Sequence, residues 1–106
     1  MVNERAAELV CRLDELPPGE MQLHTVRQRK VLLMRVDGDV FAFQNACPHK
    51  GAPLDEGSLH AGRRELVCPW HRFRFHLENG ASVTNPEMAA TTFPVEIRDG
   101  AIYVTV

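Results

Sequence analysis

Apolar residues recur along the chain with period two, or in runs too short for a stable helix, and turn-forming residues punctuate them. Met21-Gln22-Leu23-His24-Thr25-Val26 alternates cleanly, which predicts a half-buried strand. Lys30-Val31-Leu32-Leu33-Met34-Arg35-Val36 is more continuously apolar, as a central strand covered on both faces would be. Asp37-Gly38-Asp39 then turns tightly into Val40-Phe41-Ala42-Phe43, and Asp-Gly between two apolar runs is a strong hairpin signal. A second alternating run, Arg72 to Leu77, precedes Asn79-Gly80, another hairpin turn, with Ser82-Val83 as the return strand. Phe93 to Arg98 and Ala101 to Val106 read as two final strands joined by Asp99-Gly100. Ala7 to Leu13 fits a strand or a short helix, ended by the prolines of Asp14-Glu15-Leu16-Pro17-Pro18-Gly19. Asp55 to Glu65 carries Gly57 and Gly62 without sustained periodicity and reads as a loop, before a short strand at Leu66-Val67. Asn85-Pro86 opens a further loop through Ala90. Short strands with turns between them predict an all-β sandwich or barrel.

Composition narrows this little. A chain of 106 residues is expected to form a single domain, 1–106, and a net charge of -2 gives no reason to expect nucleic acid as partner. No apolar run is long enough to span a bilayer, and residues 1–8 lack the basic start and apolar block of an export signal. Three cysteines, an odd number, argue against a disulfide framework and for a reducing compartment, so the expected location is the cytoplasm.

The candidate chemistry lies in two stretches, Cys47-Pro48-His49-Lys50-Gly51-Ala52-Pro53-Leu54 and Cys68-Pro69-Trp70-His71. Each offers one thiolate and one imidazole, and residues 50–67 separate C-x-H from C-x-x-H. Pro48 and Pro69 narrow the backbone before each histidine, and Gly51 permits a positive φ or a close backbone approach. Two cysteines and two histidines could bind a structural zinc tetrahedrally. Zinc fingers usually pair Cys with Cys and His with His, however, whereas both arms here are mixed. Mixed arms suit a binuclear cluster with thiolates on one iron and imidazoles on the other.

The two stretches together resemble the cluster-binding motif of Rieske-type 2Fe-2S proteins. The similarity extends over Val10 to Pro18, the hairpin entering Cys47, Arg74-Phe75, Asn79-Gly80, Phe93-Pro94-Val95 and Asp99-Gly100, as in small Rieske ferredoxins. The resemblance implies an antiparallel β base domain with a small inserted cluster-binding subdomain, about residues 44–84. It implies one 2Fe-2S cluster, with Cys47 and Cys68 on the inner iron and His49 and His71 on the outer iron. The implied role is electron transfer, not catalysis, between a flavin-dependent ferredoxin reductase and the terminal oxygenase of a ring-hydroxylating dioxygenase. The alternative partner is the large subunit of an assimilatory nitrite reductase, and a zinc-stapled interaction module is a third reading. An oxygenase would need a mononuclear iron held by two histidines and a carboxylate. With His49 and His71 engaged, only His24, His60 and His76 remain.

Several positions refine the expectation. Ala52 and Trp70 stand where Rieske proteins of cytochrome bc complexes have bridging cysteines, so no such bridge can form here. Phe73 and Phe75 replace a serine and a tyrosine that donate hydrogen bonds to the cluster in that branch. A potential near the low end of the Rieske range, about -150 mV, is therefore expected. Arg72 replaces the family's usual glycine after the second histidine and would be strained if its φ were positive. Residues 50–67 form a long spacer, which a small bulge within Asp55 to Glu65 would absorb. Cys11 is expected as a packed thiol, His24 at a sheet edge or surface, His60 in solvent, and His76 without a role at the site. Trp70 is expected to shield the cluster and pack the two loops together. Lys50, Arg63, Arg64, Arg72 and Arg74 form either a solvated basic rim or a docking surface for an acidic partner.

Overall fold

The computed structural model describes residues 6–48, 51–70, 72–83, 85 and 87–106. Its strands are β1 (Glu8–Arg12), β2 (Met21–Val26), β3 (Arg29–Val36), β4 (Asp39–Gln44), β5 (Ser58–His60), β6 (Glu65–Val67), β7 (Arg74–His76), β8 (Thr92–Phe93), β9 (Val95–Arg98) and β10 (Ala101–Val104). They form three antiparallel sheets, ordered β1-β10-β9, β2-β3-β4-β8 and β5-β6-β7. The all-β expectation is borne out, and the described helical segments are three-residue 3-10 turns. No helix among the described residues is long and apolar enough to cross a membrane.

The four-stranded sheet is the middle of the molecule, and β3 shows why. Val31 and Leu33 enter one apolar core with Leu16, Val26, Ala42, Phe93, Ile102 and Val104, which the β1-β10-β9 sheet covers. Leu32, Met34 and Val36 enter the other, with Phe43, Leu54, Leu66, Phe75 and Leu77, which the β5-β6-β7 unit covers. Two-sided burial is what the continuous apolar run of β3 encodes. The exception, Arg35, is half-buried, and its Nη1 donates to the carbonyls of Leu13 and Leu16 at 3.1 and 2.9 Å. It thereby serves a turn in which Pro17 and Pro18 have no N–H to offer.

One open reading is decided and three expectations change. The first segment is a strand, β1, pairing with β10 through a register shift between Leu9 and Cys11. Phe93 to Arg98 is two strands in different sheets, because Pro94 cannot donate to a ladder. Phe93 pairs with Ala42, whereas Val95 pairs with Val104. The stretch Asp55 to Glu65 is a built element: a 3-10 turn at Leu54–Glu56, then β5, a 3-10 turn at Ala61–Arg63, and the start of β6. Three-residue strands are too short to show a period, which is why alternation did not reveal β5. The spacer is thus absorbed by the β5–β6 hairpin. Ser82 makes only an isolated bridge to Phe75, so the expected return strand is vestigial.

One turn has no glycine. Arg27 and Gln28 join β2 to β3 with φ of 49° and 68°, both left-handed, as a two-residue hairpin loop requires. Asp99-Gly100 solves the same problem with φ of 50° and 75°. Replacing Arg27-Gln28 by Asn-Gly should therefore stabilise the fold by about 1 kcal/mol. The exposed Arg27–Glu8 ion pair lost in the exchange offsets less than that. Chemical denaturation should show a higher midpoint with an unchanged slope.

Candidate metal centre

Two short loops carry the candidate ligands, and they are built alike. β4 leads into the first, where the Cys47 N–H donates to the Ala52 carbonyl at 2.8 Å. β6 leads into the second, where the Cys68 N–H donates to the Phe73 carbonyl at 2.7 Å. Each bond spans five residues from its cysteine. In each loop the residue before the acceptor is left-handed: Gly51 has φ of 73° and Arg72 has φ of 55°. Closing this kind of loop needs a positive φ at the fourth position after the cysteine. Glycine supplies it freely in the first loop, and arginine supplies it under strain in the second.

The loops are pinned to each other by groups that spacing did not reveal. The Asn45 Nδ2 donates to Asp55 Oδ1 at 2.9 Å, while the Asp55 N–H donates to Asn45 Oδ1 at 2.7 Å. This reciprocal pair ties the entrance of the first loop to its exit. Gly57 then lies so close to the strand entering Cys68 that a methyl group there would overlap the Val67 carbonyl. That approach draws the exit of the first loop against the entrance of the second.

Both thiols end inside the core. Cys47 is 2% and Cys68 1% exposed, and both belong to the apolar cluster that includes Leu32, Met34 and Phe75. Burial pushes the Cys68 thiol up to about 11, a hydrogen bond with the Cys47 side chain adds to the shift, and the Trp70 backbone N–H opposes it. Two soft sulfur donors buried in one apolar wall fit an iron-sulfur cluster. The donor N–H at Trp70 would favour charge on the sulfur it meets. His49 and His71, the other expected ligands, lie outside the described residues, as does Lys50.

The neighbours are only partly as expected. Trp70 is 48% exposed and is not part of either apolar core. Phe75 is fully buried and Phe73 packs against the same apolar cluster, so the positions expected to lack donors are apolar. Cys11 is half-buried against the other core, with its thiol raised by burial and then by Glu15. His24 lies on the edge strand β2, with Nε2 3.1 Å from Gln22 Oε1, and His60 and His76 are exposed.

The basic rim is mostly spent. Arg63 Nε and Arg74 Nη1 lie 3.1 and 3.5 Å from Glu65 Oε1, a carboxylate that is itself buried. Two guanidiniums make that burial tolerable. Arg64 reaches Asp37, Asp39 and Glu78 at 3.2, 2.6 and 2.7 Å and lies over the Phe41 ring. Its charge is held well above its ordinary range, first by the hydrogen bonds to Glu78 and Asp39. Arg64 and Arg74 tie separate segments together, and with Arg63 they are paired to carboxylates of this chain, so the rim carries less unpaired positive charge than its composition suggests.

Two outcomes follow from this geometry. Gly57→Ala forces Val67 away, so the chain should lose cluster content, read from visible absorbance per protein, and unfold at lower temperature. In metal-free protein, the Cys68 thiol titrates at about 11 when folded against 9.0 for a free thiol. Its contribution is therefore fully present below pH 9 and lost as pH rises toward 11. Denaturation midpoints of metal-free protein should fall across that window, and Cys68→Ala should flatten the fall.

Comparison with known proteins agrees with the geometry. Residues 7–97 match the Rieske 2Fe-2S domain family. The chain is 30% identical over 95 residues to the ferredoxin component of the alkene monooxygenase system of Xanthobacter autotrophicus, covering 90% of this chain and 77% of that one. The ferredoxin of carbazole 1,9a-dioxygenase from Nocardioides aromaticivorans superposes with a TM-score of 0.87 at 31% identity, over 94% of this chain and 97% of that one. A putative NADH-dependent nitrite reductase small subunit from Mycobacterium tuberculosis superposes with a TM-score of 0.86 at 25% identity, over 98% and 97%. Two walled-in thiols on matched loops, in a chain alike over nearly its whole length, lead to one conclusion: this protein belongs to the Rieske 2Fe-2S domain family, carries a 2Fe-2S cluster, and is an electron-transfer component rather than an enzyme.

Proposed function

We propose that the chain is a one-electron carrier between a flavin-dependent ferredoxin reductase and the terminal oxygenase of a ring-hydroxylating system. The observation that supports it best is the burial of Cys47 and Cys68 in one apolar cluster at the base of two similarly closed loops. In this reading Cys47 and Cys68 hold one iron through sulfur, and His49 and His71 hold the other through ring nitrogen. The holding unit is residues 44–84. Held there, a 2Fe-2S cluster would supply one-electron redox chemistry, which neutral imidazoles in place of thiolates on one iron would favour.

The chain's own residues define how that electron is handled. Leu32, Met34, Phe43 and Phe75 exclude water from the sulfur side, which keeps the local dielectric low. The Trp70 N–H contributes a donor at Cys68, whereas Phe73 and Phe75 contribute no side-chain hydroxyl. Fewer donors leave the reduced state less stabilised, which favours a potential near the low end of the Rieske range. The likeness to the carbazole dioxygenase ferredoxin supports the oxygenase setting. The likeness to the nitrite reductase small subunit supports a second reading, in which the partner is the large subunit of that enzyme. In either setting the chain is expected to work in the cytoplasm.

Electron paramagnetic resonance of the reduced protein tests the centre itself: a Rieske signal supports the reading, and a colourless zinc protein ends it. The potential should lie near about -150 mV. His71→Cys should retain some cluster with a sharply lower potential, and an unchanged potential would refute His71 as an iron ligand. Cys68→Ser should cripple assembly and destabilise the domain, since metal binding and folding are coupled.

A further inference from the structure

Charge pairing separates one arginine near the metal loops from its neighbours there. Near the metal loops, Arg63, Arg64 and Arg74 are each committed to carboxylates of this chain. Arg72 is exposed and has no ion pair among the described residues. It is also the residue at which the second loop turns left-handed, at φ of 55°, where the matched position of the first loop is Gly51. An arginine there adds strain and gains no ion pair among the described residues in return. Backbone strain retained without a folding benefit is the pattern of a functional position.

The surroundings of Arg72 say what that function is. With Cys68, Ser58, His60 and Glu56 it lines an open cleft of about 350 Å³ on the surface beside the buried thiol. Glu56 on the rim is a like charge for any incoming anion, and no ion pair joins it to Arg72. Two residues away, Trp70 exposes 48% of its surface. A free guanidinium two residues along the chain from an exposed indole suits a protein surface that offers both a carboxylate and an apolar patch.

We propose that Arg72 is the charge-recognition residue of the electron-exit face, meeting a carboxylate on the redox partner while Trp70 makes the apolar contact. This rests on the electron-carrier reading above. Arg72 acts here on encounter and orientation, so its removal should slow transfer to anionic acceptors without removing the cluster.

The test uses cluster-loaded protein, reduced and mixed with hexacyanoferrate(III) or with tris(phenanthroline)cobalt(III), acceptors of charge -3 and +3. In the first case one electron leaves the protein, hexacyanoferrate(III) becomes hexacyanoferrate(II), and no proton moves. At low ionic strength Arg72→Gln should slow oxidation by the anion about threefold to tenfold and speed oxidation by the cation. Both effects should fade as salt rises, and Arg72→Lys should restore most of the wild-type rate. Arg98→Gln, the same charge change on β9 across the central sheet, is the control and should alter neither rate appreciably. Arg72→Gly fits the left-handed backbone, so it keeps the test valid if Arg72→Gln fails to load. Its melting temperature should rise while its rate with the anion falls, a split that a purely structural arginine would not give. Rates for Arg72→Gln matching those of Arg98→Gln would overturn the proposal, as would a lower melting temperature for Arg72→Gly. Wild-type protein without the visible and resonance signature of a Rieske cluster would instead defeat the carrier reading beneath it.

Discussion

Strand β3 is the constraint on which the rest depends, because both of its faces are buried. Leu32 and Met34 are fully enclosed on one side, Val31 and Leu33 on the other. Truncating a large side chain at such a position costs about 2–5 kcal/mol, and here the loss falls on the join between two cores. The metal loops are not a separate module resting on a scaffold. Cys47 and Cys68 share an apolar cluster with Leu32, Met34 and Val36, so the sulfur positions are set by the same packing that fixes the central sheet. Rigidity at the site is borrowed from the middle of the molecule.

The loops themselves use few devices, each used twice or reciprocally. A cysteine N–H closes each loop on a carbonyl five residues later, and a left-handed residue makes the closure possible. Asn45 and Asp55 exchange two hydrogen bonds across the first loop. Gly57 removes the side chain that would otherwise hold the two loops apart. None of these groups touches iron chemistry directly. They decide whether two thiols can meet.

Most of the fold could be read from pattern. The alternation of Met21 to Val26, the apolar run of Lys30 to Val36 and the glycine turns after Asp37 and Asp99 each encode a local geometry strongly enough to survive tertiary context. Cys47 and Cys68 were legible because thiols flanked by proline, with histidine close by, serve few purposes other than metal binding. What escaped did so for physical reasons. β5 is too short to display a period, and the turn at Arg27-Gln28 uses residues that do not advertise a positive φ. Pro94 splits a run that looked continuous, because the chain changes sheets at the one residue without an N–H. The basic rim was misread because charge composition is local, whereas Asp37, Asp39 and Glu78 reach Arg64 from distant parts of the chain.

The enclosure of Cys47 and Cys68 also bears on how the protein withstands chemical attack. Only 2% and 1% of their surfaces are exposed. Oxidants and alkylating reagents carried by water therefore meet little sulfur at the surface. Their access to either thiol depends on local opening of the loops that the Asn45–Asp55 exchange and the Gly57–Val67 approach hold shut.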